Sequence, residues 1–72
     1  MNELTWQIKL GEKIRTIRIN KNMTQNELAI ECDFEKASMS RIESGKSNTT
    51  IRTLCKICRA LDIHIVELFN EH

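Results

Sequence analysis

With 72 residues and a formal net charge of +1, the chain has room for one small domain over residues 1–72, whose single core is marginal without help such as dimerisation. An apolar content of 40% beside 29% charged residues suits a folded, soluble chain, and no proline with only two glycines favours helices over turn-rich β structure. No export signal and no apolar run near bilayer length are present, so a membrane partner is excluded and the cytoplasm is the expected location.

Residues 1–7 read as an N-terminal extension in which Leu4 and Trp6 are the apolar candidates. Trp6 reads better as cover for the core edge than as a dimer contact. From Ile8, the spacing of Leu10, Ile14 and Ile17 predicts an amphipathic helix to about Asn20. Asn20-Lys21-Asn22 then makes a turn, because Asn tolerates positive φ.

Residues 24–45 form the centre of the chain, two short helices joined by a tight turn. Thr24 can accept from the amide of Glu27 while the Glu27 carboxylate reaches back to the amide of Thr24, a capping box. Leu28, Ala29 and Cys32 then give a narrow apolar stripe on a helix over 25–32. Asp33 and Phe34 break the pattern, and Glu35 is placed to cap a helix over 35–44 that ends at Gly45, a natural left-handed C-cap. At about 100° per residue, Met39 and Ile42 fall on one side of this helix, and Lys36, Ala37, Ser40, Arg41 and Ser44 on the other. One face is core and the other is display. Arg41, Lys36 and Ser40 can reach base edges and phosphates in a major groove that admits one helix; a plain solvated face is the competing reading of such a helix taken alone.

Beyond Gly45, Lys46, Ser47 and Asn48 form a polar loop whose ammonium, hydroxyl, amide and backbone N–H groups suit phosphate oxygens. Thr50 can cap a fourth helix that carries Ile51, Leu54, Cys55 and Cys58 on one stripe, widened by Ile57 and Leu61. Asp62 occupies a turn, and His64 to Phe69 reads as a short fifth helix with Glu67 three places after a His64 cap. Too short to bury Ile63, Ile65, Val66 and Phe69 completely, the segment 63–70 is the candidate dimerisation helix.

Charge is distributed unevenly: +3 over residues 1–23, −4 over 24–35, +5 over 36–59 and −3 over 60–72. The positive block coincides with the display helix and the loop and helix after it, as a nucleic-acid footprint requires. Cys55 and Cys58 have the spacing of a redox or zinc motif, with Cys32, His64 and His72 as conceivable further ligands. Both thiols fall on the apolar stripe, however, and a structural zinc site normally draws on two such pairs, so core packing is the preferred reading and no metal or cofactor is expected. No Ser/His/Asp or Cys/His set and no Gly-rich phosphate loop is present, so the expectation is a protein that is not an enzyme.

Thr24-Gln25, Leu28-Ala29, the run Ser38-Met39-Ser40-Arg41-Ile42-Glu43 and Gly45-Lys46 together resemble the helix-turn-helix of the Cro/C1-type (XRE-like) repressor family, and the resemblance extends over residues 8–69. It implies an all-α, five-helix bundle of the lambda-repressor type that binds double-stranded DNA sequence-specifically as a small dimeric transcriptional regulator. By the same resemblance, Lys36, Ala37, Ser40 and Arg41 face base edges, Gln25 and Lys46 touch phosphates, and Arg18 and Glu43 form an ion pair between the first and third helices. A two-fold homodimer would place its recognition helices about 34 Å apart on a nearly palindromic operator. The chain departs from the family pattern at Asp33, where Gly is usual, at Thr49, where Pro is common, and at Ile19, where charge is frequent. The rival readings are a protein-interaction or antitoxin-like module that uses an exposed fifth helix, and a sensor built on Cys55 and Cys58.

Overall fold

Side chains at the helix ends set where each element begins. The computed structural model describes residues 2–70 and contains α1 (Glu3–Asn20), α2 (Gln25–Glu31), α3 (Lys36–Glu43), α4 (Ile51–Leu61) and a 3-10 turn over Ile65–Leu68. Oδ1 of Asn2 accepts from the backbone N–H of Thr5 at 2.9 Å, so α1 starts at Glu3 and most of the expected extension is helix. The Thr24–Glu27 box closes both ways, at 2.8 and 3.0 Å, and hydrogen bonding from the Thr24 backbone N–H, then from its side chain, holds the Glu27 carboxyl below its ordinary pKa. Thr50 accepts from the amide of Thr53 at 3.2 Å and opens α4. Glu35 does stand at the N-cap of α3, but its carboxylate makes no capping hydrogen bond.

All four helices end in one way. Asn22, Asp33, Gly45 and Asp62 each take the left-handed conformation, with φ of 59°, 59°, 77° and 57°. The residue after each donates back into the last turn: Met23 to Arg18, Phe34 to Ala29, Lys46 to Arg41 and Ile63 to Cys58, at 2.8–3.1 Å. This is the Schellman closure, and Asn and Asp serve in place of glycine because a short polar side chain tolerates the left-handed region. Asp33 therefore keeps the turn that a glycine makes elsewhere.

Asp62 ends α4 as expected, but the segment expected as a fifth helix forms only a 3-10 turn, Ile65–Leu68, before the chain turns again at Phe69. Those residues close with i→i+3 bonds, Glu67 to His64 and Phe69 to Val66, and the Glu67 carboxylate accepts from the His64 amide at 2.9 Å. Among the described residues, four α-helices and one 3-10 turn stand where five helices were expected.

Ile14, Leu28, Met39, Ile57 and Leu61 are fully buried at the centre, with Leu10, Ile17, Phe34, Ile63 and Ile65 packed around them. On α4 the buried stripe is Leu54, Ile57, Cys58 and Leu61, one step round from the expected one. Ile51 is 65% exposed and Cys55 is also exposed, because α4 meets α2 and the 3-10 turn along that other stripe. Lys56 lies 5.6 Å above the Phe34 ring, tying α4 to the turn after α2. Trp6 is half exposed at the rim, where its ring meets the edge of Phe69 at 6.4 Å.

Gly11 is buried where α1 crosses α3, and a Cβ there would run into the carbonyl oxygen of Ile42 and come within 2.6 Å of that of Glu43. Both obstacles are backbone and cannot swing aside. Gly11→Ala is expected to lower the unfolding free energy by about 2–3 kcal/mol, read as an earlier urea midpoint; an unchanged midpoint would show that the crossing has slack.

Candidate nucleic-acid interface

Helix α3 divides sharply. Met39 is 0% and Ile42 7% accessible, whereas Lys36, Ala37, Ser40, Arg41 and Ser44 are all exposed. The eight residues of α3 thus present a polar, cationic strip whose opposite side is locked into the core. Arg41 continues that strip toward the loop after α3: with Ser38, Ser47, Asn48 and Thr50 it lines a shallow basin rich in hydroxyl and amide groups. Lys46 is exposed at the start of this loop. Gly45, just before it, is fixed twice over, by its positive φ and by Ile8, whose Cα would lie 2.7 Å from any added Cβ.

What holds the strip at its angle is a charge pair beneath it. Arg18 donates through Nε to Oε2 of Glu43 at 2.7 Å and through Nη2 to Oε1 at 3.0 Å, a two-pronged bridge between α1 and α3. Nη1 of Arg18 donates to the Met23 carbonyl at 2.8 Å, and Nε2 of Gln25 donates to Oε1 of Glu43 at 3.2 Å. Both charged side chains are under a tenth exposed, and no buried side-chain polar atom among the described residues lacks a partner. Gln25, expected to face a phosphate, is thus half-buried and joined to the pair.

A helix-turn-helix family model, HTH_3, matches residues 14–68. The chain belongs to the helix-turn-helix family. Among curated relatives, the control protein C.BamHI of Bacillus amyloliquefaciens is 37% identical over 65 residues, spanning 89% of this chain and 80% of that protein. The crystal structure of the restriction-modification controller protein C.AhdI from Aeromonas hydrophila superposes with a TM-score of 0.85 at 30% identity, over 88% of this chain and 96% of that one. The controller protein C.Esp1396I, crystallised as a tetramer with its natural 35 base-pair operator, superposes with a TM-score of 0.81 at 33% identity, over 89% and 84% of the two chains.

Within this helix-turn-helix chain the expected self-association residues separate. Val66 is 61% and Phe69 45% exposed, while Ile63 and Ile65 turn in against the core. Sequence reasoning missed Gly11 and the Gln25–Glu43 bond; neither has a local signal, since both depend on how α1, α2 and α3 meet. The cysteines separate as well: Cys55 is exposed, and Cys32 and Cys58 are buried. Burial raises the Cys32 thiol to a pKa of about 11 and also raises that of Cys58. No group of three or more His, Cys, Asp or Glu side chains among the described residues is placed to hold a metal ion; His72 lies outside them.

Glu43→Ala leaves the Arg18 charge buried without its partner and is expected to cost about 3–5 kcal/mol in denaturant titration, far more than an exposed charge would. An alkylating reagent near neutral pH should modify Cys55 in the folded chain and reach Cys32 and Cys58 only on unfolding, read by mass spectrometry. Because the folded state raises Cys32 from 9.0 to about 11, its contribution to stability is complete below pH 9 and is lost as the pH climbs toward 11, the unfolded chain ionising first.

Proposed function

We propose that this chain is a small dimeric transcriptional regulator that binds double-stranded DNA sequence-specifically and lays α3 in the major groove. The observation that carries the reading is the outward set Lys36, Ala37, Ser40 and Arg41 on a helix whose inner side, Met39 and Ile42, is sealed in the core. A groove of about 12 Å admits one helix and its side chains. Arg41 is assigned to guanine, whose O6 and N7 accept a guanidinium in two bonds, and Ala37 to a thymine methyl or to clearance. Ser40 and Lys36 face neighbouring bases, with Lys36 also within range of a phosphate. Gln25, Lys46, Ser47 and Asn48 grip the backbone and fix register.

Val66 and Phe69, with Trp6 beside them, form the apolar patch proposed for the two-fold contact. Such a dimer spaces two copies of α3 about one DNA turn apart, roughly 34 Å, and selects a nearly palindromic operator. Likeness to the control proteins supports a role of the controller kind, exercised in the cytoplasm. No helix among the described residues is long and apolar enough to cross a membrane.

Selection of bound fragments from a random duplex pool tests the reading directly and should return paired half-sites. On the selected operator, Arg41→Ala is expected to cost about 1–3 kcal/mol and relax preference at one base position. Lys46→Ala should instead weaken all sequences alike and lower the salt slope by about one. Binding that ignores salt, where a DNA binder loses affinity steeply, would overturn the reading in favour of an apolar protein contact.

A further inference from the structure

The Glu43 carboxylate accepts three hydrogen bonds, and the third differs in kind from the other two. Nε and Nη2 of Arg18, at 2.7 and 3.0 Å, supply the charge that a buried carboxylate needs. Nε2 of Gln25, at 3.2 Å from Oε1, adds no charge. Gln25 opens α2 and is only half-buried, so its carboxamide spans from the protein interior to the surface that carries α3. A carboxamide nitrogen has two N–H groups in one plane. Committing one of them to Oε1 fixes the direction of the other and leaves it, with the amide oxygen, for a partner outside.

We infer that Glu43 is a positioning residue for DNA binding, acting through Gln25: Oε1 holds the carboxamide so that its second N–H meets a phosphate oxygen. The inference rests on the DNA-binding reading above and extends it, since the buried pair then serves the phosphate grip as well as the fold. The gain is preorganisation. A free glutamine loses rotamer freedom on binding, whereas one already tethered has lost it during folding.

A double-mutant cycle on the full chain tests this, with Gln25→Met, Glu43→Met and the double variant titrated against one duplex well below each unfolding midpoint. Glu43→Met removes both acceptor oxygens and alters no group on the outward side of α3, yet it should weaken binding about three- to tenfold, as Gln25→Met does, and the double variant should lose little more than either. Losses that multiply, or a Glu43→Met chain that binds like the unaltered one, would overturn the inference. Should Glu43→Met fail to fold, side-chain amide relaxation of Gln25 in the unaltered free chain decides: a restrained carboxamide supports the tether and a freely rotating one refutes it. An unaltered chain that binds no duplex removes the DNA-binding reading itself, and this inference with it.

Discussion

The bond between Arg18 and Glu43 is the constraint on which the rest of the molecule depends. Two charges under a tenth exposed are costly to bury, and their attraction alone offsets that cost poorly. Their value lies in direction. A planar guanidinium meets a carboxylate edge-on, and the remaining nitrogen is taken by the Met23 carbonyl, so α1, the turn after it and α3 share one geometry. Gly11 brings the backbones of α1 and α3 close enough for that geometry to form, at a place where no side chain fits.

From this crossing comes the division of labour on α3. Its inner residues are held by packing and its last residue by charge, so the polar strip faces outward from a rigid support. Side chains aimed from a fixed helix give up less freedom on meeting a partner than the same groups on a loop. The loop from Lys46 to Asn48 gains a similar advantage from Gly45, whose left-handed turn and contact with Ile8 set where that loop leaves the core.

Features governed by neighbours along the chain were legible in the residues themselves. The Thr24–Glu27 box, the burial of Leu28, Ala29 and Cys32, the two faces of α3 and the Thr50 cap all depend on residues within a few turns. The start of α1 had a signal too, Asn2 ahead of an acidic first turn, which the weak apolar pattern of residues 1–7 concealed. Tertiary contact decided the rest. The choice between two overlapping apolar stripes on α4 was made by what α2 and the 3-10 turn offered it, leaving Ile51 and Cys55 outside. The last segment starts at His64 as expected, with Glu67 bonded back to the His64 amide, but closes as a 3-10 turn over Ile65–Leu68 and not as an α-helix. The resemblance to the repressor family named the partners Arg18 and Glu43, but nothing local could show Gln25 joining them.

Gly45 has a consequence for replacement. The main chain at this position sets the step from α3 into the loop beyond it, and any residue with a side chain there would have to displace Ile8 and hold a strained positive φ, so the step tolerates no replacement of the glycine at low cost. Lys36, Ala37, Ser40 and Arg41 have no such obligation to the core. Under the proposed DNA-binding reading, target preference would be set at four surface positions that can be replaced singly while the scaffold that presents them stays the same.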